Sequence, residues 1–130
     1  MSSVAVRAAL ETALAAITPA LDTAWENTTL TPVVDVPCQR VKMVFADPEN
    51  GEIGAAFLER GYMQVDLLYP LGAGAGPAQA RVELLRAAFY RGRTLTASGQ
   101  SVLIERTPSI LPGFEDVGRY CVPVRIPFRS

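Results

Sequence analysis

The stretch from Gly61 to Arg91 limits most what this chain can become. An alternating run, Gly61-Tyr-Met-Gln-Val-Asp-Leu-Leu-Tyr-Pro70, passes into Leu71-Gly-Ala-Gly-Ala-Gly76 and then into a segment opened by Pro77. A period of two places Met63, Val65, Leu67 and Tyr69 on one face, with Tyr62, Gln64, Asp66 and Leu68 on the other. That is the pattern of a strand. Beyond the glycines, Ala78, Val82, Leu85 and Phe89 form one stripe of a helix expected from Pro77 to Arg91, with Arg81, Glu83, Arg86 and Arg91 largely off it. Pro77 suits the first helical turn and Gly92 the residue past the end. Burying Leu85 and Phe89 should contribute about 2–3 kcal/mol each.

Other segments extend this pattern. Leu10, Leu14, Ile17 and Leu21 define one stripe of a first helix over Ser3 to about Thr18, which Pro19 should end. Thr23 to Thr28 is a short strand candidate, with Trp25 expected in the core or at its margin. Cys38 to Ala46 alternates, with Val41, Met43 and Phe45 opposite Arg40 and Lys42, and should pair antiparallel with 61–69. Between them, Asp47-Pro-Glu-Asn-Gly51 is turn chemistry, followed by a partly apolar arm.

Arg93–Ala97 and Gln100–Thr107 should form a hairpin around Ser98-Gly99, with Val102 and Ile104 inward. Pro108 to Gly118 reads as a loop. Arg119 to Phe128 alternates most clearly, with Tyr120, Val122, Val124, Ile126 and Phe128 on one face. Pro123 and Pro127 both lack a donor toward one side, which predicts an edge strand closed to pairing there. The order α-β-β-β-α-β-β implies an α+β fold, a mainly antiparallel sheet with two helices packed on it. At 130 residues the chain is most simply one domain, spanning 1–130.

Composition narrows the chemistry. Histidine is absent, which removes Ser-His and Cys-His nucleophile pairs and the commonest zinc ligand. Two cysteines, Cys38 and Cys121, cannot make a four-cysteine site and are expected as buried thiols rather than a disulfide. A net charge of −1 and a pI near 5.4 argue against phosphate-backbone binding. No apolar run approaches membrane-spanning length, and the N-terminus lacks the basic region of a signal peptide. A protein of the cell interior, without cofactor or metal, is expected.

Three features invite function. Gly72, Gly74 and Gly76 precede a helix, where anions can bind, but the spacing matches neither G-x-G-x-x-G nor G-x-x-x-x-G-K-[ST]. The bland reading is a turn needing positive φ. Acidic residues at 47, 49, 52, 115 and 116 are not brought together by sequence and read as solvated turns. Apolar residues in loops, namely Ile53, Phe57 and Leu58 in the arm and Ile110, Leu111 and Phe114 later, fit either satellite packing or subunit contact.

Several passages together carry a resemblance. They are Ala24-Trp-Glu-Asn27, Pro37 to Pro48, Gly61-Tyr-Met-Gln-Val-Asp66, Tyr69-Pro-Leu-Gly72 with Gly74, and the helix ending in Phe89. Pro112-Gly-Phe-Glu-Asp116 and Tyr120-Cys-Val-Pro-Val-Arg-Ile-Pro-Phe-Arg129 complete them. In these the chain resembles the tail-terminator-like proteins of tailed bacteriophages and prophages. The resemblance implies a non-enzymatic ring, typically a hexamer, that caps the tail tube, stops its growth and offers the head a docking surface. It implies as partners the chain itself, the major tail-tube protein and a head-completion protein. It places the protein in the host cytoplasm during assembly and then in the virion tail. The alternatives are a small intracellular adaptor domain and, behind it, a nucleotide-binding enzyme. On the leading reading, Phe57→Glu should leave a folded monomer, by circular dichroism, that fails to assemble with tail tubes. Normal rings from that variant would remove the arm from the interface.

Overall fold

The computed structural model describes residues 3–31, 35–46, 59–116 and 118–130. Helix α1 spans Ser3–Ala15, followed by strands β1 (Asp22–Ala24), β2 (Cys38–Phe45) and β3 (Arg60–Pro70). Helix α2 spans Gly76–Ala88, then come β4 (Thr94–Ala97), β5 (Gln100–Ile104), β6 (Ser109–Ile110), β7 (Phe114–Asp116) and β8 (Arg119–Arg129). The α+β class and the leading α-β-β-β-α order are as expected. The turn at 47–51 and the arm with Ile53, Phe57 and Leu58 lie outside the described residues.

The strands form one sheet in the order β1-β2-β3-β8-β5-β4, with β6 and β7 also on β8. All pairings are antiparallel except β1 with β2. The expected β2–β3 pair is present, with Val41 opposite Val65 and Met43 opposite Met63. Register then puts Met63 beside Ile126, Val65 beside Val124 and Leu67 beside Val122. These residues are buried under the helices, together with Leu10 and Leu14 of α1 and Ala78, Val82, Leu85 and Phe89 of the α2 stripe. Trp25 packs at the margin of this core. Both helices stop earlier than spacing suggested. Phe89 leaves helical angles at φ −111°, and its N–H closes on the Leu85 carbonyl at 2.8 Å.

The proline inference on β8 is overturned. Far from an edge, β8 sits inside the sheet, with β3 on one side and β5, β6 and β7 on the other. A residue's N–H and C=O aim at the same side of a strand. The Pro123 carbonyl accepts the Leu111 N–H at 2.9 Å and the Pro127 carbonyl accepts the Glu105 N–H at 3.1 Å, so the missing donors belong to this second flank. The prolines leave that flank pairable through their carbonyls but segmented into short strands. Two of these, β6 and β7, lie inside the stretch read as a loop. The hairpin turn is as expected, with Ser98 at φ 50° and Gly99 at φ 75°, the two positive angles of a type I′ turn.

Gly61 occupies a point where a side chain has no room. It lies between Phe45 on β2 and Phe128 on β8, whose rings meet edge to face with centroids 5.8 Å apart. A Cβ at Gly61 would sit 2.1 Å from the Val44 carbonyl oxygen, a backbone atom that cannot yield cheaply. We therefore expect Gly61→Ala to cost about 1–3 kcal/mol in urea unfolding. An unchanged midpoint would show that the strands can part there.

Candidate assembly surface

Alternation leaves one face of the sheet without helices. On it, register aligns Cys38 with Leu68 and Leu68 with Cys121, a small buried cluster against which Leu30 packs. Both cysteines are free thiols, as composition suggested. Around the cluster runs a chain of polar contacts. Arg40 on β2 reaches Asp66 on β3 at 3.4 Å and Asp116 on β7 at 2.8 Å. Gln64 donates to Asp66 at 2.9 Å, and Arg125 Nε donates to Gln64 at 3.2 Å. The Arg125 guanidinium also lies 4.9 Å from the Tyr62 ring centroid, in cation–π geometry. Burial works against the charge of Arg40, but the hydrogen bond it donates to Asp116 and the charges of both carboxylates outweigh it and raise its pKa.

These links decide where β7 sits. β7 pairs with β8 alone, over three residues, and Arg40 ties its end back to β2. With half-exposed partners each ion pair is weak singly. Shared between two carboxylates, Arg40 gives β7 a preferred position. Asp116 and Pro70 both align with Arg119, from opposite sides. The glycine loop and the β7–β8 turn therefore share one end of the sheet.

The predicted contact residues can now be placed. Gly72 and Gly74 have φ of +83° and +80°, Gly76 opens α2 at the start of the helix, and all three are exposed with open space where a Cβ would stand. Backbone angle accounts for Gly72 and Gly74; packing accounts for none of the three. Ile110 and Phe114 are 40% and 49% exposed, and Leu111 is half-buried. Cross-strand partners share a face, so Phe114, opposite Cys121, belongs to the helix-free face, whereas Ile110, opposite Val124, belongs to the helix side. The late apolar residues are thus neighbours along β8 without forming one patch. The Arg40–Asp66 pair was open to inference once β2 and β3 were paired. Asp116, expected in a solvated turn, instead ends β7 and pairs with Arg40.

Among the described residues no group of three or more histidine, cysteine or acidic side chains could hold a metal, and no helix is long and apolar enough to cross a membrane. What the surface offers is shape, apolar side chains and fixed charges. The model of the family described as phage tail terminator protein matches residues 5–128. The chain belongs to the phage tail terminator family. A solved structure aligns with it at a TM-score of 0.81 and 27% identity, over 99% of this chain and 95% of that one. No match is found among curated proteins.

Membership assigns the chain to phage tail assembly and to the virion tail. For the terminator fold, the thiol beneath the helix-free face reports its integrity. Burial first, and the charge of Asp66 second, push Cys121 up to about 11 from an ordinary 9.0. A raised thiol pKa means the folded state holds its proton longer. The associated stability is present below pH 9 and fades as pH rises toward about 11. At pH 8 Cys121 should resist a disulfide reagent until the protein unfolds. Rapid labelling of Cys121 in a sample with native circular dichroism would show that the face opens.

Proposed function

We propose that this terminator-family chain acts without catalysis, forming a ring, a hexamer in the tail, that caps the tail tube, ends its growth and presents the surface to which the head is joined. The observation carrying this is the family match over residues 5–128, on a fold shared with a solved structure over nearly its whole length. A single terminator domain spanning 1–130 is part of the reading. Its partners are further copies of itself, the major tail-tube protein and a head-completion protein, met in the host cytoplasm during assembly.

A closed ring of identical subunits needs two different, complementary patches on each. One is supplied by the β7 end of β8's second flank, where Phe114 shares a face with the charges held by Arg40, with Ile110 and Leu111 farther along that flank. The glycine loop with Gly72, Gly74 and Gly76, at the same end as the β7–β8 turn, contributes backbone that a neighbour can approach closely. The sequence also offers Ile53, Phe57 and Leu58, outside the described residues, for the second patch.

The test is electron microscopy of the protein mixed with polymerising tail-tube subunits. Capped tubes of limited length are expected with the native chain. Phe114→Glu should keep native circular dichroism, because the side chain is half exposed, and should abolish caps. Tubes that grow uncapped with the native chain present would remove the terminator role. Normal capping by the variant would move the interface away from β7.

A further inference from the structure

A cavity of about 320 Å³ opens between the end of α1, the approach to β1, β2 and α2. Leu14, Ile17 and Trp25 form its apolar wall, while Gln39 and Arg81 bring polar groups to it. The sequence placed Arg81 off the buried stripe of α2, and this expectation fails. Arg81 is 3% exposed and Gln39 1%.

Each leaves a buried atom without a hydrogen-bond partner among the described residues: Gln39 Oε1, an acceptor, and Arg81 Nε, a donor. The amide's orientation is set by its neighbour. Thr23 gives its one hydroxyl proton to the Leu21 carbonyl at 3.0 Å, so toward Gln39 it can only accept, and Nε2 turns to it at 3.0 Å. Oε1 is left as the open acceptor. Arg81 donates from Nη1 to the Pro19 carbonyl, which is neutral. The guanidinium has no carboxylate within ion-pair distance among the described residues. A buried cation without a counterion is costly. Each open atom has less than 1 Å² of accessible surface, so a partner reaches it only with a small shift of the side chain, and a water there would leave the charge uncompensated.

We propose that this cavity binds a carboxylate flanked by an N–H group, as presented by a polypeptide's chain end or by an acidic side chain beside its own backbone amide. The carboxylate accepts from Arg81 Nε–H and supplies the missing negative charge. The ligand N–H donates to Gln39 Oε1. The exposed Asp22 also lines the cavity. It repels a bare anion and favours a ligand carrying a donor. Nothing in this depends on whether the chain caps a tube.

The test is nuclear magnetic resonance titration of the full chain, following the Arg81 Nε–H, the Gln39 side-chain amide and the Trp25 indole. N-acetylglycine stands for a chain end and N-acetylaspartate amide for an acidic side chain, so their relative affinities separate the two sources. At least one should shift the Arg81 and Gln39 signals saturably, with Kd on the order of 1 mM. Acetate should bind about tenfold more weakly, and neutral N-acetylglycinamide should leave the Arg81 signal unmoved. Arg81→Met keeps the length and removes the charge, and should abolish the carboxylate response. Should that variant fail to fold, Gln39→Leu provides the second arm, reducing the preference for N-acetylglycine over acetate. Absence of saturable shifts in the native chain with both acyl ligands means that the cavity holds only water, and overturns the proposal. So does equal binding of N-acetylglycinamide.

Discussion

The pairing of β3 with β8 is the constraint on which the rest of the structure depends. The two strands run antiparallel over their full length, from Arg60 beside Arg129 to Pro70 beside Arg119. Because side chains alternate, this one register sorts nearly everything else. Met63, Val65 and Leu67 join Ile126, Val124 and Val122 in the core, while Gln64, Asp66 and Leu68 join Arg125, Pro123 and Cys121 on the opposite face. A slip by one residue would put Asp66 under the helices and Val65 in water. The buried Val65–Val124 contact and the polar Gln64–Arg125 hydrogen bond both oppose such a slip. Gly61 marks one end of this register, where two aromatic rings meet across a residue with no side chain.

The prolines of β8 show how one rule can be right locally and misleading globally. Removing two donors does deprive one side of β8 of hydrogen bonds, and the sequence reading assigned that loss correctly. The inference that nothing pairs there fails because a proline carbonyl still accepts. Leu111 and Glu105 use those carbonyls, and short strands fit between the gaps. The outcome is a flank held by few hydrogen bonds per segment, with β6 of two residues and β7 of three. Such short segments draw little stability from the ladder. Side chains supply the difference, through Arg40 at one end and through Arg86, whose Nε donates to the Pro108 carbonyl at 3.0 Å, at the other.

What could be read from sequence follows from how local each feature is. Both helices, β2, β3, β8 and the Ser98-Gly99 hairpin rest on periodicity and turn chemistry within a dozen residues, and each is present. β6 and β7 escaped because segments of two or three residues carry no periodicity. Their existence depends on carbonyls offered by β8. Arg81 escaped for a related reason. Its place on the α2 wheel made it look peripheral, but the approach to β1 packs over that part of α2 and encloses it, and nothing in α2 records this. Of the described residues expected to make subunit contacts, Gly72, Gly74, Gly76, Ile110 and Phe114 are exposed and Leu111 is half-buried. Sequence spacing could not show that Phe114 and Ile110 face opposite sides of the sheet.

That last separation bears on how a terminator-family subunit can meet its neighbours. A single apolar patch would favour a two-fold dimer, in which the same surface meets itself. Ring closure requires that one subunit's patch meet a different patch on the next. With Phe114 on the helix-free face and Ile110 on the helix side, β8's segmented flank presents different chemistry in two directions. On one side lies an aromatic ring beside a shared arginine and two carboxylates, and on the other an aliphatic side chain bordering the helical layer. The segmentation that the prolines impose on β8 therefore does more than permit short strands. It gives the second flank of β8 two unlike surfaces, one on each face of the sheet.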